Sequence, residues 1–541
     1  MAVSVRPVNL AVDQRPSVIS DLVGERTVRD LVEERAARYP DKTWLVCEDT
    51  SGDRVEYTYA QFLDAVKRAA SGFTSIGVGK GDTVVVHLAN CPEFVISWFG
   101  LAWIGGVMVP SNIANTSPEM AHVLGHSEAV AVVTSPEYLA MFQGLRGDAP
   151  AVKSLVLTGG SEPGAVSFAE LTAAGDEPPR PRLRSDDLIE MIFTSGTTAR
   201  PKGVLLTHAN QLHAGEREAR SIGVVDTDRC LTALPAFHVN AQSTTILSAL
   251  TAGATCILLA EYRASRFWDQ IRAHGATVTS LVAMQVRTLL AQPPSPEDVR
   301  HSVRRNFYAI NVTDGEKEEF ERRFGIELLN GYGLSEAMTV VTIAPLFGDR
   351  RWPSIGLPTA DRRLRIVKDD GADAGPEEVG EIVVSGVPGR TLMVGYHRDP
   401  EATSATIRNG WLYTGDYGYL DQRGYVYFVD RKKDVIKRAG ENVSASEVEA
   451  VLAEHPLVAE AAVIGVPDPI RDEAVKAYVV PTTEAELTVD DVLEHCRDRL
   501  AAFKIPTIVE IRSSLPKTSV GKIEKKALRM EHPATGSEPR P

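Results

Sequence analysis

The residues best suited to chemistry stand together at positions 194–203, TSGTTARPKG, directly after an apolar, strand-like run, LIEMIF. Small and hydroxyl-bearing residues let a backbone come close to phosphate oxygens. Thr194, Ser195, Gly196, Thr197 and Thr198 combine that close approach with hydroxyl donors, and Lys202 adds a point charge. The string is suited to holding a polyphosphate. It is not a Walker A loop, which needs Gly-Lys-Ser/Thr after four spacer residues, because Pro201 precedes the lysine. Taken alone, a Ser/Thr/Gly run is also what a solvated linker looks like. Lys517, Lys522, Lys525 and Lys526 form a second charged group, a pattern equally typical of a solvated face.

The elements around these groups narrow the reading. Over residues 27–260 helical patterns alternate with short β-branched runs, TVVVH (83–87), AVAVVT (129–134) and TCILL (255–259), which predicts parallel α/β layers. Between 353 and 429 the pattern becomes short strands with turn signals, RRLRIV, GEIVVSG and GYVYFVD, a smaller β-rich unit. After Asp430 a helix begins at Ser444, with Ser444 as N-cap and Glu447 completing a capping box. AAVIGV, KAYVV and a helix near 489–500 follow, giving a compact α+β domain. HPATGSEPRP has no apolar periodicity and reads as a disordered tail. The expected fold is α/β: a large N-terminal domain over 1–430, made of two α/β subdomains plus a β-rich subdomain, then a small α+β domain over 431–530 and a tail over 531–541.

Bulk properties exclude several classes. A chain of 541 residues exceeds the roughly 250 to 300 residues at which single cores stop growing, so at least two domains are required. A net charge of −14 argues against a nucleic-acid partner, while a small anion needs only local positive groups. Cys47, Cys91, Cys230, Cys256 and Cys496 are scattered without metal-like pairs, which suits reduced thiols and a cytoplasmic protein. Charges and prolines in the first residues do not resemble a secretory signal. The stretch 94–109 is interrupted by glycines and falls short of the ~20 residues that span a bilayer. A buried helix turning through Gly105 and Gly106 into the strand GVMVP is expected, with no membrane span. Assembly into a homo-oligomer stays open.

The phosphate string resembles that of the adenylate-forming superfamily of acyl-CoA synthetases, luciferases and peptide-synthetase adenylation domains. Further motifs of that superfamily follow in order: GYGLSEA (331–337), YTGD (413–416), DRKKDVIKRAGENVSASEVE (430–449) and LPKTSVGKI (515–523). The likeness spans about 27–528, and within the superfamily it is closest to crotonobetaine or carnitine CoA ligases, through RRWPSIG (350–356), TLLAQPPS (288–295) and IRDEAVKAYVV (470–480).

The resemblance implies an ATP-dependent, AMP-forming acid–thiol ligase. It would convert a small-molecule acid to acyl-AMP with release of pyrophosphate and pass the acyl group to coenzyme A. Position by position, Tyr332, flanked by Gly331 and Gly333, would stack on adenine. Ser335 would hydrogen-bond the α-phosphate, and Glu336 would bind Mg2+, a hard cation that prefers oxygen ligands. Asp416 would hold the ribose and Arg431 the nucleotide from the hinge side. Lys522 would bridge carboxylate and α-phosphate in the transition state of adenylation, where two anions meet. Lys433 aligns with the hinge about which the small, mobile C-terminal domain turns between half-reactions. That turn brings Lys437, Gly440 and Asn442 to the thioester step. LPAFHVNA (234–241) resembles the acyl-site segment, with Phe237 and His238 near its gate.

Two departures bear on substrate. Ala199 replaces a usual glycine, and AINVTDG (309–315) replaces the usual Gly-Gly-Ala-Pro turn beside adenine and acyl group. Other acceptors, including a carrier-protein thiol or nitrite activated for diazotisation of an aromatic amine, therefore stay open. A non-catalytic nucleotide binder is disfavoured, because it would not need Lys202, Glu336, Asp416, Arg431 and Lys522 together.

Overall fold

A computed structural model describes residues 21–173, 177–194, 201–309, 312–431, 434–438, 441–468, 472–482, 487–497, 499–517 and 523–532. The chain divides into two compact units, one of Leu10–Leu364 with Val384–Tyr413, the other taking in Arg365–Val383 and Thr414–Pro541.

The larger unit contains two mixed sheets. In the eight-stranded one the order is Gly395–Tyr396, Lys202–Thr207, Leu188–Thr194, Val107–Pro110, Thr83–His87, Ala131–Thr134, Ser154–Leu157, Val166–Ser167. The nine-stranded one runs Leu357–Pro358, Thr339–Ile343, Leu328–Leu334, Arg305–Ala309, Val278–Val282, Arg229–Thr232, Thr255–Leu259, Thr43–Glu48, Arg54–Thr58. Its central six strands pair in parallel.

The β-branched runs owe their continuity to burial on both faces. Val84 and Val86 join one core cluster while Val85 joins another, and Cys256 and Leu258 are separated in the same way from Ile257. The first of these clusters is shared by both sheets and by the helices Tyr59–Ser75 and Pro92–Ile104, where Trp44, Phe62 and Phe99 meet edge to face. Helix Pro92–Ile104 ends at Gly105, whose φ of 77° suits only a residue without a side chain, and the strand Val107–Pro110 follows. The expected helix–turn–strand is present. No helix among the described residues is long and apolar enough to cross a membrane.

The β-rich strands Arg363–Val367, Gly380–Ser385, Trp411–Leu420 and Ile407–Arg408 form a sheet in that order, with Val426–Arg431 paired to Trp411–Leu420. The C-terminal segment has its own sheet, Glu441–Ser444, Val435–Arg438, Asp472–Pro481, Val458–Asp468, with Ile508–Ile511 paired to the third of these. Helices Ala445–Ala453 and Val489–Arg497 accompany it. Ser444 caps the first by accepting from the Glu447 amide at 3.2 Å. The expected capping box is only half made: the Glu447 carboxylate is drawn to Lys504, 2.6 Å away, because a full charge outbids a backbone amide. All five cysteines are free thiols, and four are buried. Residues 533–541, most of the expected tail, lie outside the described residues.

Candidate functional site

In open α/β sheets, ligands bind beyond the carboxyl ends of the strands, where the strand order reverses. In the nine-stranded sheet that point is Arg229–Thr232, since the next strand in sequence pairs on one side of it and the one after on the other. The segment that follows is LPAFHVNA. Strand Leu328–Leu334 delivers GYGLSEA to the same edge, and strand Leu188–Thr194 of the other sheet delivers the phosphate string.

The string is the connection of a hairpin in which Thr194 lies directly opposite Lys202. Ser195, Gly196, Thr197 and Thr198 lie outside the described residues. Lys202 Nζ stands 4.8 Å above the centre of the Tyr396 ring and 3.9 Å from Asp399 Oδ2. Both partners are partly exposed, so the ion pair contributes under about 1 kcal/mol and can be exchanged for a stronger anion. Tyr396 is fixed by pairing with Val204 and by its amide, which donates to Thr403 Oγ1 at 2.9 Å. The Tyr396 hydroxyl donates to Glu336 Oε1 at 2.8 Å. Burial, reinforced by the Glu336 charge, raises the phenol's pKa and keeps it a donor.

Glu336 occupies the short turn Ser335–Ala337, and its carbonyl accepts from the Met393 amide at 2.8 Å. One carboxylate oxygen is thus held by Tyr396, and the other has no hydrogen-bond partner among the described residues. Such an oxygen on a partly exposed turn fits a magnesium ion, which takes one or two carboxylates and fills its shell with phosphate oxygens and water. No cluster of three or more His, Cys, Asp or Glu among the described residues could hold a metal without such help.

Tyr332 is half-buried between two glycines that have physical reasons to be there. A Cβ at Gly331 would lie 2.5 Å from the Phe307 ring, and one at Gly333 would lie 2.3 Å from the Thr339 carbonyl oxygen. Phe237 is buried, and the exposed His238 ring packs 4.7 Å from it. Asn240, partly exposed, has its amide oxygen within 2.8 Å of Ser280 Oγ and 3.0 Å of Thr244 Oγ1.

Two buried polar groups hold the acyl-site segment. Asn90 donates to the carbonyls of Leu234 and Leu259 and accepts from the Ala236 amide at 2.7 Å. Gln242, in the π-helical turn Ala241–Leu247, donates to the Ala236 carbonyl and to Glu190 on the strand that leads into the phosphate string. Glu190 also accepts from Gln211 at 2.8 Å. Burial pushes its carboxyl up to about 8, against the pull of the two amides.

In the smaller unit, Asp416 lies within the ten-residue strand Trp411–Leu420 and not in a turn. It pairs in register with Arg431, whose Nε is 3.6 Å from Asp416 Oδ1. Lys437 and Asn442 face each other in a hairpin, with only their backbones described. Lys433, Gly440 and Lys522 lie outside the described residues. Tyr396, which links Glu336 to Lys202, and Asp399, which pairs with Lys202, escaped the sequence reading. The one available signal was an aromatic next to a helix-capping Asp-Pro, and that signal is weak.

The family model described as AMP-binding enzyme matches residues 32–397, and that described as AMP-binding enzyme C-terminal domain matches residues 447–522. A crotonobetaine/carnitine–CoA ligase of Salmonella enteritidis is 40% identical over 521 residues, covering 94% of this chain and 100% of that protein. Among solved structures, an anthranilate CoA ligase in complex with anthranoyl-AMP is similar with a TM-score of 0.85 at 25% identity, over 94% of this chain and 98% of that one. An o-succinylbenzoate coenzyme A synthetase from Bacillus subtilis, in complex with ATP and magnesium ion, is similar with a TM-score of 0.81 at 28% identity, over 93% of this chain and 100% of that one.

Proposed function

The chain belongs to the AMP-binding, adenylate-forming enzymes, and from that premise we propose how its residues divide the work of an ATP-dependent acid–CoA ligase. Such a ligase makes an acyl-AMP and then a thioester. The observation that supports the assignment is the run Glu336–Tyr396–Lys202, in which a carboxylate whose second oxygen has no hydrogen-bond partner among the described residues lies near a cation.

ATP would lie along that edge. Tyr332 stacks on adenine, Ser335 and Thr194 to Thr198 bond phosphate oxygens, and Lys202 exchanges Asp399 for the terminal phosphates. Magnesium at Glu336 would neutralise charge on the phosphates. Asp416 accepts from the ribose hydroxyls, with Arg431 beside it. A carboxylate oxygen of the acid attacks the α-phosphorus and pyrophosphate leaves. Lys522 bridges the two anions as they meet, so that it stabilises the transition state more than the separated reactants. The coenzyme A sulfur then attacks the acyl carbonyl carbon and AMP leaves with the bonding pair. Lys437, Gly440 and Asn442 serve this step, with His238 at the gate.

The acid enters between Phe237, His238 and Asn240. The amide of Asn240, backed by Ser280 and Thr244, favours a small acid with a hydrogen-bonding substituent over a long alkyl chain. The deciding experiment is product mass after incubation with ATP, magnesium, a panel of acids, and either coenzyme A or nitrite plus an aromatic amine. Thioester with at least one short polar acid is expected. Nitrite-dependent ATP consumption with a diazonium product and no thioester would overturn the coenzyme A assignment.

A further inference from the structure

We propose that Arg362 is a positioning residue for the metal-binding carboxylate of Glu336, an inference that rests on the assignment of Glu336 above. Arg362 is 5% exposed. Its guanidinium donates through Nη1 to the Thr391 carbonyl and through Nη2 to the Ala337 carbonyl. Ala337 is the residue after Glu336. Thr391 opens the segment that grips Glu336 twice more, through the Met393 amide and the Tyr396 hydroxyl. One planar fork therefore ties the turn that carries the carboxylate to the strand that orients it. A lysine ammonium lacks the rigid fork that serves both carbonyls at once.

The rest of the cluster serves the same few residues. Arg217 binds Asp361 through two nitrogens, at 2.9 and 2.7 Å, and donates to the Met338 carbonyl at 2.8 Å. Glu218 accepts from the Val340 amide at 3.3 Å. Residues 337, 338 and 340 are each held by a buried charged side chain, and Met338 between them has φ of 37°, a conformation that non-glycine residues adopt only when their surroundings impose it. Burying four charged side chains beneath a turn is a poor way to gain stability, since apolar groups of similar size often do as well. It is a good way to hold a strained turn in one place. The direction of the charges fits: Arg362 and Arg217 face carbonyl oxygens, and the Asp361 carboxylate, paired with Arg217, balances them.

The test uses the full-length protein without any acid, so that nothing turns over. Calorimetry measures affinity for ATP with magnesium and for ATP in EDTA. The wild type is expected to bind the magnesium form more tightly. Arg362→Met should lose about tenfold of that advantage, the scale of one hydrogen bond to a charged group, while affinity for metal-free ATP stays within about twofold. Arg362→Lys should fall between, and it carries the test where circular dichroism shows that Arg362→Met does not fold. An advantage that survives in Arg362→Lys and Arg362→Met sinks the role of Arg362 alone. Equal loss for both forms of ATP likewise overturns it, as a general structural defect. A wild type that binds both forms alike sinks the assignment of metal to Glu336 itself.

Discussion

Glu190 makes stability depend on pH in a direction opposite to most carboxylates. Its side chain is fully buried among Gln211 and Gln242 with no cation in contact among the described residues, and burial raises its carboxyl from 4.5 to about 8. The folded chain therefore holds this proton where the unfolded chain has released it. Stability is full below pH 4.5, falls as pH rises toward 8, and is level above that. At about 1.4 kcal/mol for each pH unit between those two values, the loss is on the order of 4 to 5 kcal/mol. Glu190→Gln removes the titration. The amide oxygens of Gln211 and Gln242, buried without hydrogen-bond partners among the described residues, can rotate to accept from the new amide. The expected result, read as thermal midpoints of wild type and variant between pH 5 and pH 9, is a gap that opens with pH in favour of the variant by several degrees. Midpoint curves that run parallel over this range would refute the reasoning, and so would a variant that loses ground at alkaline pH.

Three further outcomes are expected. Lys522→Ala should depress pyrophosphate release by several orders of magnitude while thioester formation from presynthesised acyl-AMP proceeds, and equal loss of both would remove Lys522 from its adenylation role. Lys433→Pro, which fixes one backbone dihedral, should slow the second half-reaction more than the first in rapid-quench measurements; an unchanged second step rules out rotation about this residue. Asn240→Leu should shift kcat/KM by about tenfold toward acids that lack a hydrogen-bonding substituent, and no change in the ratio would mean that the amide does not meet the acyl chain.

Features written in contiguous residues could be read from the sequence. The Gly105 turn and the β-branched runs each answer a local requirement: a left-handed residue, and burial on both faces. YTGD has a turn-like composition, yet Asp416 lies within a strand. The Glu447 carboxylate went to Lys504, and that pairing depends on a residue 57 positions away. The links from Arg362 to Glu336 and from Tyr396 to Lys202 were hidden for the same reason. Each joins segments brought together only by the sheets, and Arg362, one of three arginines in RRLRIV, looks like any strand charge.

Asn90 has a consequence for protein engineering. It stands just beyond the end of strand Thr83–His87 in one sheet, yet its three side-chain hydrogen bonds go to the other: one to Leu259 at the end of a strand, and two to the loop at Leu234 and Ala236, the former 144 positions along the chain. A designer who grafts the 234–241 loop from a relative to change the accepted acid would treat it as a cassette. It is not self-contained. Its conformation depends on a segment that no local alignment of the loop would include, so a graft that ignores position 90 exchanges side chains while leaving their backbone without one of its two buried polar anchors. Successful transplants should be those in which donor and recipient share the asparagine, and libraries built around this loop should hold position 90 constant.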